Sequence, residues 1–184
     1  MKRFLPRVKS IKGFTLIELL VVIGILGILA AALVATIDPF EQLNKATDAN
    51  TKNTVVEYID ANIRYYTTHQ AMPWGDVNAP AVCQNSGTAP SGALLTGVPM
   101  ASCTDALISD GELKGSFSSA VNILKNITIT AGANNAVIGC FAPLSKSQQK
   151  DPNTKYTALG VPVALPATNC VGYGGLVTCY WCTQ

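Results

Sequence analysis

The sequence is poor in charge and lacks the common catalytic motifs. Charged residues are 13% of the 184 positions, about half of the roughly 25% typical of soluble domains. HExxH, GxSxG, the P-loop and the dinucleotide-binding glycine fingerprint are all absent from the sequence. The one histidine, His69, falls at the end of a predicted helix, where we expect it to be solvated. We therefore predict no enzyme activity, no cofactor and no metal site.

Acidic residues are missing from the first 13 positions. That segment holds five of the thirteen basic residues, namely Lys2, Arg3, Arg7, Lys9 and Lys12. The whole chain has a net charge of +2, but without this segment eight basic residues would face eleven acidic ones. The remaining chain would be mildly acidic, so its bulk charge does not predict specific nucleic-acid binding.

A long uncharged run follows the basic segment. The 24 residues from Phe14 to Ile37 contain one charge, that of Glu18. As a helix this run would be roughly 36 Å long, enough to cross a bilayer core of about 30 Å. Basic residues beside a membrane helix stay in the cytoplasm, so we expect everything after Ile37 to lie outside. An ordinary secretory signal peptide, which would release a secreted binding module, normally has a shorter apolar core of about 7–15 residues.

Cysteine is absent before residue 83, and all six cysteines lie on the side expected to be exported. They are Cys83, Cys103, Cys140, Cys170, Cys179 and Cys182. An even number in an oxidising compartment predicts disulfides. Proximity favours a Cys83–Cys103 pair, and the other four stay unassigned. A redox CxxC motif at 179–182, or a four-thiolate zinc site, is the alternative that this compartment disfavours.

Residues 13–18, with the sequence GFTLIE, resemble the class III signal of type IV prepilins and type II secretion pseudopilins. The resemblance covers residues 1 to about 40. It implies that a prepilin peptidase cuts between Gly13 and Phe14 and methylates the new N-terminus of Phe14. It also implies that Glu18 of one subunit pairs with the Phe14 amine of a neighbour during assembly.

Small residues recur along the apolar run at Gly24, Gly27 and Ala31. Small side chains let helices approach closely in membranes and bundles. The resemblance implies that they pack in a filament core, although glycine and alanine are also common in membrane helices generally.

The resemblance implies a structural subunit of a type IV pilus-like surface filament. The precursor would be a single-pass membrane protein, extracted into a homo-oligomeric fibre by an assembly platform and its cytoplasmic ATPase. The alternative is a type II secretion or competence pseudopilin. Major secretion pseudopilins carry an acidic calcium loop near the C-terminus. Here Asp151 and Asn153 indicate only a turn, which favours a pilin.

The predicted fold is α+β, with a long N-terminal helix packed on a small antiparallel sheet stapled by disulfides. We expect a leader at 1–13, a membrane-spanning or filament-core half-helix at 14–37, an amphipathic half-helix at 38–70 and a globular head at 71–184. Asp38 and Pro39 suit either a new helix start or a kink in one continuous helix. The absence of a linker favours the kink.

Helical spacing predicts which face of the second half-helix meets the sheet. The apolar stripe consists of Val56, Ile59, Ile63 and Tyr66, and the exposed neighbours are Glu57, Asp60 and Arg64.

In the head, residues 73–103 are rich in proline and glycine and predict a long surface connection. Short helices are expected at 104–113 and 118–125. Strands are expected at 127–130, 136–141, 155–158 and 176–181, with turns at 131–135 and 150–153.

Overall fold

The computed structural model describes residues 13–36, 38–84, 89–163, 170 and 177–183. It divides into two compact units, residues 1–39 and 40–184, which are considered separately. The first unit contains helix α1, Leu16–Thr36. Within the described residues, its segment Leu16–Val34 is the one helix long and apolar enough to cross a membrane.

Helix α2 spans Pro39–His69. Proline suits a first helical position, because its missing N–H would have no partner there. The predicted kink in a continuous helix falls beside Ile37, which lies outside the described residues.

Several short elements and one small sheet follow α2. The helices are α3 (Ala81–Gln84), α4 (Met100–Ser109), α5 (Val121–Leu124) and α6 (Lys146–Gln149), and the strands are β1 (Ala93–Leu94), β2 (Ile127–Ala131), β3 (Val137–Phe141), β4 (Thr154–Tyr156) and β5 (Tyr180–Cys182). In the part of the chain that the structure describes, these strands form one antiparallel sheet in the order β1-β2-β3-β5-β4. The predicted α+β fold is confirmed.

The predicted hairpin is confirmed as β2 and β3, with Ile127 opposite Phe141 and Ala131 opposite Val137. Its turn contains Asn134 and Asn135, both at positive φ, a conformation that asparagine tolerates better than most residues.

The predicted apolar stripe of α2 is wrong by about one residue. Val56 and Ile63 are 40% and 51% exposed. The face that enters the core instead carries Asp48, Thr51, Val55, Tyr58, Ala61, Asn62 and Tyr65. Three of these buried residues are polar. A prediction based on the spacing of apolar residues alone therefore selects the neighbouring face of the helix. Ile59 and Tyr66 lie at the border and are partly buried against the core.

Close packing joins α2 to the centre of the sheet. A Cβ atom added at Gly139 in β3 would lie 2.5 Å from Cγ1 of Val55. The core around this contact contains Tyr58, Ile127, Ile129, Phe141 and Trp181. A smaller cluster of Cys140, Tyr156 and Cys182 packs separately, because alternate residues of a strand point to opposite faces.

The proline- and glycine-rich segment 73–103 is not simply a surface connection. Pro73 is fully buried, and Trp74, Leu95 and Met100 also belong to the interior. It contains α3 and β1, which the sequence analysis missed. Both are too short to show a periodic pattern.

The predicted boundaries of four other elements need correction. Helix α4 begins at Met100, four residues early, and ends before Gly111, which has a φ of +83°. The second predicted helix is a 3-10 turn, Phe117–Ser119, followed by α5. Strand β4 ends at Tyr156, and β5 begins only at Tyr180. Leu176, where that last strand is predicted to begin, lies outside the described residues.

The predicted disulfides are confirmed, and all six cysteines lie in the described part. The bonds are Cys83–Cys103, Cys140–Cys182 and Cys170–Cys179. The second joins directly opposed residues of β3 and β5. The first ties α3 to α4.

Candidate processing and assembly site

The start of α1 is closed by a reciprocal cap between Thr15 and Glu18. One carboxylate oxygen of Glu18, Oε2, accepts hydrogen bonds from the Thr15 amide at 2.9 Å and from its hydroxyl at 2.7 Å. The Glu18 amide donates to Thr15 Oγ1 at 3.3 Å. This is a capping box, in which a threonine and a glutamate three residues later satisfy each other's backbone N–H groups.

Gly13 and Phe14 precede this cap in non-helical backbone. Phe14 is 86% exposed, and no described residue comes within 4 Å of a Cβ placed at Gly13. The bond between them is therefore not shielded by any described part of the chain. Because the helix begins at Leu16, this bond lies outside it.

The described side chains of α1 are exposed on every face. Its large residues, from Leu16 to Val34, have exposures of 48% to 82%. Nothing described lies within 4 Å of a Cβ at Gly24 or Gly27, and Ala31 is likewise exposed. A helix that is apolar all round needs a surrounding membrane or other helices to bury it.

In the second unit, two carboxylates of α2 bind the loop after β3. Asp48 is 4% exposed and accepts from the amides of Leu144 and Ser145 and from the Ser145 hydroxyl, at 2.9, 2.8 and 2.6 Å. Glu41 accepts from the amides of Lys146 and Ser147. We call Glu41 and Asp48 the acidic clamp.

The described residues contain no group of three or more histidine, cysteine, aspartate or glutamate side chains arranged to hold a metal ion. Asp151 and Asn153, considered above for calcium, form a turn in which the Asn153 amide donates to Asp151 Oδ1 at 2.8 Å.

Sequence reasoning singled out Glu18 but missed its local partner. The pattern Thr-x-x-Glu at residues 15–18 is the sequence signal of a capping box, so the cap was predictable from the sequence. The acidic clamp had no such signal, because its partners lie about 100 residues away along the chain.

Residues 8–34 match the family model of the prokaryotic N-terminal methylation motif. No curated protein and no solved structure matches the chain.

The matched segment contains Gly13, Phe14 and the capped start of α1. With the apolar helix, the small antiparallel sheet and the disulfides, this match supports a type IV pilin-like or pseudopilin protein. A motif of this type implies processing by a prepilin peptidase and assembly into filaments in general. The motif and the apolar helix fit a single-pass membrane precursor.

Proposed function

We propose that this chain is a structural subunit of a type IV pilus-like surface filament. The peptidase cuts between Gly13 and Phe14, and the apolar helix then leaves the membrane for the core of a fibre made of many copies. The single observation that carries the proposal is an apolar helix, exposed on every face that the structure describes, that lies almost entirely within the matched methylation motif. The disulfide-bonded head supports a location outside the cell.

Glu18 is the residue on which assembly depends in this proposal. Cleavage gives Phe14 a free α-amino group, and such groups ordinarily have a pKa near 8, so most are protonated at neutral pH. A carboxylate in an apolar core is costly unless a partner neutralises it. Glu18 of an incoming subunit therefore pairs with the Phe14 amine of a neighbour, which fixes the axial position of the new subunit.

Co-expression with wild type tests this role. We expect Glu18→Ala to be inserted and cleaved normally but to enter sheared filaments less often than wild type, with Glu18→Asp intermediate because its side chain is shorter. Glu57→Ala, which removes an exposed carboxylate of α2, is the matched control and is expected to enter normally. Equal incorporation of Glu18→Ala and wild type would contradict the pairing.

Electron microscopy of sheared surface material distinguishes a pilus from a pseudopilus. We expect long surface fibres that contain this chain. If the protein is instead found only in the cell envelope, and if secretion or DNA uptake requires it, the protein is a pseudopilin.

A further inference from the structure

The start of helix α2 exposes two large apolar side chains. Phe40 is 74% exposed and Leu43 is 64% exposed. In the part of the second unit that the structure describes, Phe40 is the only exposed phenylalanine, tyrosine or tryptophan. Side chains three residues apart lie on one face of a helix, so Phe40 and Leu43 form a single apolar surface.

A loop from a distant part of the sequence adds a third apolar side chain near this end of α2. The acidic clamp holds the loop after β3 beside the first three turns of the helix, and Asp48 accepts directly from the Leu144 amide at 2.9 Å. The side chain of Leu144 is 52% exposed. We call Phe40, Leu43 and Leu144 the apolar edge.

The length of the chain brings this edge close to the membrane. Helix α1 ends at Thr36 and has 21 residues, which makes it roughly 31 Å long, about the thickness of the apolar bilayer core. The headgroup layer beyond that core is about 5–8 Å thick. Phe40 follows Thr36 by four residues, so the chain allows at most about 14 Å between their Cα atoms. When α1 spans the membrane, Phe40 therefore lies in or close to the headgroup layer.

A membrane interface suits the apolar edge better than water does. Helices that lie at a bilayer surface bury phenylalanine and leucine about 5–10 Å into the boundary between headgroups and acyl chains. Charges of both signs flank the edge in the sequence, with Glu41 and Asp48 on one side of the balance and Lys45 and Lys146 on the other. Burial of apolar surface, rather than attraction to an anionic headgroup, is therefore the driving force.

We propose that the apolar edge seats the head of the precursor on the exported surface of the membrane that α1 crosses. Phe40 and Leu43 enter the boundary between headgroups and acyl chains, and Leu144 enters it from the loop. The partner is the lipid surface itself. The inference rests on the membrane-inserted precursor of the proposed function, and it holds for a pilin and a pseudopilin alike.

A fluorescent label on a single added cysteine tests this contact. All six native cysteines form disulfides, so a cysteine added by Leu144→Cys is the one site that a thiol-reactive NBD dye labels. This position is decisive, because proximity to α1 in the sequence cannot bring residue 144 to the bilayer. The labelled full chain is reconstituted at high dilution in vesicles of phosphatidylethanolamine and phosphatidylglycerol, with and without lipid that carries a quenching nitroxide near the headgroup.

We expect the nitroxide lipid to remove most of the NBD emission from Leu144→Cys. Val77→Cys is the matched control, since Val77 is 84% exposed and its neighbour Asp76 accepts from Tyr65, near the other end of α2, at 2.8 Å. The emission from Val77→Cys should stay nearly unchanged. An equal loss of emission at both sites, or no loss at residue 144, would overturn the proposal.

Removal of the other two apolar side chains tests whether the edge holds the head in place. In the labelled Leu144→Cys chain, Phe40→Ser together with Leu43→Ser should restore most of the emission. Val98→Ser together with Val121→Ser, which also replace exposed apolar residues, should leave the quenching intact. Quenching that survives the loss of Phe40 and Leu43 would contradict the proposal. Ser147→Cys, exposed in the same loop, is the second label site if Leu144→Cys does not fold.

A label within α1 separates a failure of this inference from a failure of the proposed precursor. Leu26→Cys, labelled and quenched by nitroxide deep in the acyl chains, reports whether α1 is inserted. No quenching at residue 26 would contradict the membrane precursor and this inference together, whereas quenching at residue 26 without quenching at residue 144 would contradict this inference alone. If a second copy covers the edge instead, the emission from residue 144 will shift to the blue as protein density rises and stay insensitive to nitroxide lipid, which also overturns the proposal.

Discussion

At the scale of single residues, Glu18 has two possible partners that act at different stages. In the structure its carboxylate caps α1 through Thr15. During the proposed assembly, the same carboxylate forms an ion pair with the Phe14 amine of a neighbouring subunit. The two roles separate chemically, because a cap needs an acceptor oxygen and an ion pair needs a negative charge.

Two substitutions separate these roles. Glu18→Gln keeps an acceptor for Thr15, since glutamine also serves in a capping box, but it removes the charge. Thr15→Ala removes the cap and leaves the charge. We expect Glu18→Gln to be poorly incorporated into filaments beside wild type and Thr15→Ala to be incorporated nearly as well as wild type. Incorporation is measured as the mutant fraction in sheared fibres, and the opposite ranking would show that the cap is what matters.

The candidate site was largely predictable because its chemistry is local. A basic leader, Gly13, Phe14 and Glu18 all fall within 18 residues, so the sequence displays the pattern directly. His69 is predicted to be solvated, but its ring stacks on that of Tyr65, with centroids 4.0 Å apart. Its Nε2 lies 3.6 Å from Oδ1 of Asp110, the residue after α4, and the sequence gives no local signal of that contact.

At the scale of elements, α2 shows why periodicity predicted a helix but the wrong face. Thr51 and Asn62 lie in the core, where their side chains donate to the carbonyls of Thr47 and Tyr58 on the same helix, while Oδ1 of Asn62 has no partner among the described residues. A local hydrogen bond lowers the cost of burying the donor group. Asp48 enters for another reason, since three donors from the loop after β3 satisfy it. A hydrophobicity scale that scores each residue by itself takes account of neither the local hydrogen bonds nor the donors from the loop.

The acidic clamp gives a prediction at this scale. Asp48→Asn would turn an amide NH₂ toward donors at Leu144 and Ser145, so at least one buried donor would lose its acceptor. We expect a loss of about 2 kcal/mol in unfolding free energy. That loss corresponds to a fall of about 4–8 °C in the thermal midpoint.

Asp60→Asn is the matched control for the clamp, since Asp60 is exposed on the same helix. A surface change of this kind is expected to stay within about 0.5 kcal/mol. Equal midpoints for the two variants would mean that the loop is held by its other contacts.

At the scale of the whole molecule, the sequence predicts which strands and disulfides are present better than it predicts the order of the strands in the sheet. The central hairpin and the disulfides follow from local alternation, turn residues and cysteine count. The order β1-β2-β3-β5-β4 does not, because β5 enters between β3 and β4 from the end of the chain. Its place depends on the contact of Trp181 with Phe141, whose ring centroids are 5.4 Å apart, and on the Cys140–Cys182 bond.

The three disulfides should stabilise the head unequally, since they close loops of different length. Their sequence separations are 42 for Cys140–Cys182, 20 for Cys83–Cys103 and 9 for Cys170–Cys179. If a disulfide acts mainly by restricting the unfolded chain, replacing each pair by alanines should cost about 3.9, 3.3 and 2.6 kcal/mol respectively.

Urea unfolding of the three double variants would measure this order, and thiol labelling of denatured, unreduced wild type should find no free cysteine. The Cys140–Cys182 bond also fixes β5 in the middle of the sheet, so its loss is expected to expose Trp181 and lower the cooperativity of unfolding. The bond between Cys170 and Cys179 spans a short loop and should do neither. An inverted order would show that contacts in the native head, rather than the length of the closed loop, set what each bond contributes.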